Sequence, residues 1–262
     1  HVRPVELLGL TATPERADGV DVRDFFDGRI AAELRLWDAL EQNLLCPFHY
    51  FGIYDDTDLR GLEWKRGGYD LGKLDEIYTG NDARARIVIK EVRDKITDVS
   101  AMRALGFCVS VAHAHYMAEK FNQAGIHARA VSGDTPAEER RATLNALRNL
   151  DINIIFTVDL FNEGLDIPEV DTVLFLRPTE SSTVFLQQLG RGLRLTSGKS
   201  VLTALDFVGH QHKQFRFDRR FRALTGATGR NLERQVEHGF PFLPSGSQIV
   251  LDPVAREVVL EN

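Results

Sequence analysis

The sequence is poor in cysteine, with only Cys46 and Cys108 in 262 residues. Two cysteines cannot build a disulfide framework, which fits a reducing, cytoplasmic setting. No apolar run approaches the ~18 residues that a membrane span needs, and no signal-peptide pattern opens the chain. Internal repeats and low-complexity tracts are also lacking. The pairs His113-x-His115 and His210-x-His212 have no companions at zinc-binding spacing and read as surface or helix-start histidines, so no metal ligand is assigned. These absences exclude a disulfide-stapled secreted domain, a membrane-spanning helix and a zinc module. The chain begins with His1 rather than Met, as expected of a piece of a longer chain.

What is present is ordinary globular material. Hydrophobic residues make up 43% and charged residues 27%, enough to bury one large core or two smaller ones. Net charge is −6, yet residues 187–234 carry ten Lys or Arg against three Asp or Glu. That stretch is either a focused face for phosphate-rich partners or a solvated, locally paired one.

The pattern predicts a strand over 6–10 that runs into a turn at Thr11-Ala12-Thr13-Pro14. A helix over 34–44 and an aromatic strand over 48–54 follow, then glycine-marked turns to residue 80. From residue 81 the alternation is regular. Val88, Val92 and Ile96 lie at helical spacing, followed by strands over 106–111 and 128–131 and a helix over 113–123 between them. Thr135, Pro136 and Glu138 read as a capping box for the next helix. The runs "INIIFTV", "TVLFL" and "SVLTALDFV" read as buried strands, with a helix over 183–189. Such alternation implies an α/β fold with a parallel sheet covered on both faces. Ligands on such sheets sit outside the carboxyl ends of the strands. Beyond residue 209, Phe217, Phe221 and Leu224 are spaced for an amphipathic helix. With Phe215 they could instead stack bases, but the helical spacing favours packing. The last twenty residues look like the start of another small unit.

Two candidate phosphate-binding features share "QQLGRGLRLTSGKS", residues 187–200. The end, Ser197-Gly198-Lys199-Ser200, resembles the close of a P-loop, but Leu193 stands where its first glycine belongs. It also leads into a strand, with no helix N-terminus to receive a phosphate, so it reads as a solvent-facing turn. Arg191 and Arg194 fit phosphate better, because guanidinium groups fork onto its oxygens. Three apart, they could project from one helical turn, with Gly190 and Gly192 letting the backbone approach another domain.

Four segments in order, "LLGLTATPER", "GFCVSVAHAHYMAEKF", "FTVDLFNEGLDIPEVDTVLFLRPT" and "FLQQLGRGLR", resemble motifs III, IV, V and VI of superfamily 2 helicases. The runs around 163–168 and 187–191 are similar to bacterial repair and restriction-type members. The resemblance implies a RecA-like fold and assigns roles. Thr11 and Thr13 would couple ATP to nucleic-acid movement. Gly164 and Asp166 would lie at the nucleotide. Gln187, Arg191 and Arg194 would face the ATP phosphates, with Arg194 as arginine finger. Ser110, His113 and Thr157 match positions near the nucleic-acid backbone. Gln188 stands where the family often has arginine.

The resemblance divides the chain into the end of a first RecA-like domain (1–27), a connector (28–80), a second RecA-like domain (81–209) and a small α/β C-terminal extension (210–262). The P-loop and the carboxylates for Mg²⁺ would lie upstream, so this piece is expected not to hydrolyse ATP alone. Its partners would be that missing N-terminal domain and DNA rather than RNA, with a nuclease domain possible in the full chain. Two other readings stay open. One is a restriction-type translocase that does not separate strands, and the other is a non-catalytic nucleic-acid-binding module.

Overall fold

The computed structural model describes residues 7–9, 22–65, 68–158, 167–227 and 230–261. Thr11, Thr13, Gly164 and Asp166 lie outside the described residues, as does most of the strand expected over 6–10.

Among the described residues, seven strands form one parallel sheet. In chain order they are β1 (Phe48–Asp58), β4 (Ala104–Phe107), β5 (Ala128–Val131), β6 (Ile154–Thr157), β7 (Thr172–Phe175), β8 (Leu202–His210) and β9 (Gln248–Leu251). A two-residue pair, β2 (Trp64–Lys65) and β3 (Gly68–Tyr69), stands apart from it. Across the sheet the order is β5-β6-β4-β7-β8-β1-β9. The fold is therefore α/β with a parallel sheet, as the alternation predicts, and RecA-like, as the resemblance implies.

The sheet ignores two of the boundaries drawn from sequence. β1, from the stretch read as a connector, pairs with β8 in the register Phe48↔Leu202. β9, from the stretch read as a separate extension, adds to β1 through His49↔Gln248. Residues 80 and 209 are thus not edges of the sheet. The physical reason is that β8 would otherwise present a bare row of backbone groups, which a further strand satisfies.

Helices cover both faces. One face receives α3 (Asp82–Lys95) and α4 (Val111–Gln123), which bury Val88, Val92, Met117 and Phe121 against Ile154, Phe156 and Leu205. The other receives α5 (Ala137–Arg148), α6 (Ser182–Gly190), α7 (Phe217–Thr225), α8 (Arg230–Glu237) and α9 (Pro253–Glu261), packed on Tyr50, Phe107, Phe175 and Ala204. Two shorter helices, α1 (Leu36–Glu41) and α2 (Leu71–Tyr78), flank β1 in sequence. β4, β6 and β7 are buried at every position, which is why they read as continuous apolar runs. At Gly106 a Cβ would lie 2.4 Å from the Phe156 ring, so only glycine admits that ring beside β4. Phe215, Phe217 and Phe221 are all buried, so they pack and do not stack bases.

The expected capping box is not formed. α5 starts at Ala137 with Pro136 at its cap and no side-chain bond there. Thr135 Oγ1 instead accepts from Ser132 N at 2.9 Å, closing the preceding turn.

A buried ion pair sits on each face. Arg84 Nε meets Asp55 Oδ2 at 2.6 Å, and its Nη2 donates to Leu176 O at 3.2 Å. On the other face Arg220 pairs with Asp206, which also accepts from the Tyr50 hydroxyl. Arg220 Nη2 donates to Thr179 O at 2.8 Å, tying α7 to the loop that precedes α6. Removing one member of such a pair leaves an uncompensated charge in the core. Arg220→Ala should therefore cost about 3–5 kcal/mol of unfolding free energy by urea titration. A loss under ~1 kcal/mol would mean the pair is solvated.

Candidate functional site

The expected site residues fall at opposite edges of the sheet. Ser110 follows the carboxyl end of β4, and Thr157 is the last residue of β6, held by Cys108 N donating to its carbonyl at 2.7 Å. Arg191 and Arg194 follow α6, which has returned from the carboxyl end of β7 toward the amino end of β8. Cys46 N, just ahead of β1, donates to Leu193 O at 2.9 Å, and Leu202 N of β8 donates to Pro47 O at 2.9 Å. The arginine segment thus lies at the amino edge, away from the carboxyl edge expected for ligands. The depth of a four-residue strand, about 13 Å, separates the two.

At the carboxyl edge, Ser110 caps α4 by accepting from His113 N at 2.9 Å. Its hydroxyl donates to Asp75 of α2, and Thr79 Oγ1 donates to the same carboxylate oxygen at 2.6 Å. These two hydroxyls hold the Asp75 carboxyl below its usual pKa. Ser110 is half-buried, whereas Thr157 and His113 are buried. The His113 ring stacks on Tyr78 at 5.6 Å, and the Arg84 guanidinium lies 4.2 Å from the centre of the same Tyr78 ring. His113 Nδ1 accepts from Val109 N at 3.2 Å, so the proton sits on Nε2. The buried ring supports the Ser110 loop from beneath and cannot itself reach a phosphate.

At the amino edge, α6 ends at Gly190 with Arg191 as its C-cap, and residues 192–196 have neither helix nor strand. The two arginines therefore do not share a helical turn as the spacing suggested. Arg191 is half-buried and Arg194 exposed. Gln187 is exposed on α6, while Gln188 lies on the inner face with Phe185 and Leu189. Both polar side-chain atoms of Gln188 lack partners among the described residues. A Cβ on Gly192 would meet Leu202 at 2.2 Å, so this glycine admits the Leu202 side chain. Gly190 has open space.

Lys199 departs furthest from expectation. Ser197-Gly198 is the expected turn, with Gly198 at φ +84°, and β8 follows it rather than a helix. Yet Lys199 is half-buried and Nζ donates to Pro168 O at 2.7 Å, Gly192 O at 3.0 Å and Val170 O at 3.1 Å. Burial lowers its pKa. The side chain is a structural anchor and not a solvent-facing cation. Its acceptors are backbone oxygens, so no residue pattern announced it. Asp75 and Tyr78 were missed for a related reason, being 35 residues from the Ser110 and His113 they meet.

At least five of the ten basic residues in this stretch are engaged locally. Arg216 and Arg222 pair with Asp218 at 2.8 and 3.0 Å, and Arg219 with Glu180 at 3.7 Å. Arg220 and Lys199 are held as described. The paired reading of this stretch holds for those five.

Burial pushes the His113 pKa down from 6.5 to about 3. Below pH 6.5 the unfolded ring gains a proton that the folded ring refuses, so the unfolded state binds more protons and stability is lost as pH is lowered. Between about pH 8 and pH 5 this amounts to about 2 kcal/mol. His113→Gln should flatten that part of the stability profile, followed by urea unfolding. An unchanged slope would rule out a buried neutral ring.

Residues 85–196 match the family described as helicase conserved C-terminal domain. Over 209 residues the chain is 30% identical to a 51.5 kDa protein of a Lactococcus phage, covering 79% of this chain and 44% of that protein. It is 24% identical over 199 residues to UvrABC system protein B of Helicobacter hepaticus, covering 71% of this chain and 30% of the relative. The solved structure of the ATP-dependent Type ISP restriction-modification enzyme LlaBIII bound to DNA aligns with a TM-score of 0.60 at 17% identity. That alignment covers 97% of this chain and 20% of the enzyme, and is a likeness of fold. The chain spans under half the length of each of these proteins.

Proposed function

Because the chain belongs to the superfamily 2 helicases, as their C-terminal domain, we propose that it is the second motor domain of an ATP-dependent DNA helicase or translocase. The observation that carries this reading is the arginine segment 191–194. It is pinned through its own carbonyls by Lys199 and Cys46, so guanidinium groups stand on a fixed backbone at one edge of the sheet. Fixed cations suit a reaction in which the enzyme positions groups and neutralises charge. In ATP hydrolysis the γ-phosphoryl passes to water, ADP departs, and negative charge spreads over the transferred oxygens. Arg194 is assigned that charge, with Arg191 and Gln187 beside it, and Gly164 and Asp166 on the nucleotide.

The other edge then serves nucleic acid. Thr157 ends β6 and Ser110 follows the end of the adjacent β4; both are assigned to the DNA backbone, with His113 supporting Ser110 from the interior. The phosphate cradle belongs to the N-terminal RecA-like domain in this reading. Among the described residues no three His, Cys, Asp or Glu side chains group to hold Mg²⁺, which in this reading sits with the phosphate cradle. The same proposal carries a cytoplasmic location, expected from the scarcity of cysteine, and a nuclease domain elsewhere in the full protein, implied by the resemblance.

Arg194→Ala in the full-length protein should lower DNA-stimulated ATP turnover by about 10³-fold or more, with ATP and DNA affinities largely kept. Arg194→Lys should recover little, since an ammonium lacks the planar fork. Steady-state turnover and nucleotide titration check this, with circular dichroism as a folding control. Normal turnover in Arg194→Ala would remove the finger assignment.

A further inference from the structure

We propose that Lys199 is a positioning residue for ATP turnover, clamping the arginine segment 191–194 to the segment that follows Asp166. The inference rests on the helicase reading above. An ammonium carries three N–H donors, and the three carbonyls of Pro168, Val170 and Gly192 take them. Pro168 and Val170 stand two and four positions past Asp166, and Gly192 stands between Arg191 and Arg194. One nitrogen atom therefore joins the two stretches assigned to the nucleotide.

The clamp matters because the arginine segment has no regular structure to hold it. Beyond Gly190 its holds include Lys199, Leu202 beneath Gly192, the burial of Leu193 in the core, and Cys46. Cys46 N donates to Leu193 O at 2.9 Å, and Cys46 Sγ donates more weakly to Gly192 O at 3.4 Å. Among these holds, only Lys199 also reaches the Asp166 side, through Pro168 and Val170. Losing it frees one stretch to shift against the other, and a shift near 1 Å costs about 100-fold in rate when groups must meet a transition state. Lysine suits the task better than arginine. Its donors radiate from a single atom, as three convergent carbonyls require, whereas a guanidinium spreads its donors over a plane.

The test is a double-mutant cycle in the full-length protein, with DNA-stimulated ATP turnover read for Lys199→Met, Arg194→Ala and the pair. Lys199→Met should lower kcat by about 10–100-fold with KM for ATP changed less than about threefold. Lys199→Arg should fail to restore it. Added to Arg194→Ala, Lys199→Met should lower turnover no further, because it acts through the arginine it positions. A general folding defect predicts the opposite, an equal fractional loss on both backgrounds, and that result overturns the proposal. So does a normal kcat in Lys199→Met while Arg194→Ala is inactive, which leaves the helicase reading standing. Normal turnover in Arg194→Ala alone removes both. Should Lys199→Met not fold, Lys199→Gln, which keeps two N–H donors, runs through the same cycle.

Discussion

A helix that joins two neighbouring parallel strands must travel back along the sheet before the second strand can start. That constraint decides the layout of this protein. α6 leaves the carboxyl end of β7 and returns to the amino side of β8, carrying Arg191 and Arg194 to the edge opposite Ser110 and Thr157. One sheet thereby presents two separate polar rims. In the proposed reading one rim answers to nucleotide and the other to DNA, with the buried sheet as the rigid body between them.

Each rim is held by interior polar groups that bond across elements of the fold. On the carboxyl side the chain of contacts runs from Asp55 to Arg84, across the Tyr78 ring, to His113 and Val109 N. On the α6 side, Arg220 reaches from α7 to Asp206 in the sheet and to Thr179 O at the approach to α6. Buried charges are costly unless paired, so these clusters tolerate few alternative arrangements. They make the extension beyond residue 209 part of the domain, because α7 supplies the cation that Asp206 and Tyr50 surround.

Much of this was legible in the sequence where the signal is local. "INIIFTV" and "TVLFL" are buried on both faces and read as apolar runs, and Val88 and Val92 kept their helical phase in α3. The turn at Ser197-Gly198 and the rejection of a P-loop followed from glycine spacing and the strand beyond. What escaped was long-range or backbone-borne. Phe48 pairs with Leu202 across the chain, and nothing near β1 or β9 marks them as members of this sheet. The Lys199 anchor is invisible because carbonyl oxygens belong to every residue. The arginine pair was misphased because α6 ends at Gly190, and Gly192 beyond it packs on Leu202.

The central claim is that nucleotide phosphates meet this domain at the amino edge, on a segment fixed by Lys199. A crystal structure of the full-length protein with a non-hydrolysable ATP analogue tests it most directly. The account predicts the terminal phosphate within hydrogen-bond reach of Arg194, about 2.7–3.2 Å, with the Lys199 bonds to Pro168, Val170 and Gly192 intact. Phosphates seated instead at the carboxyl ends of β4 and β6, or Lys199 withdrawn to solvent in the bound state, would contradict it.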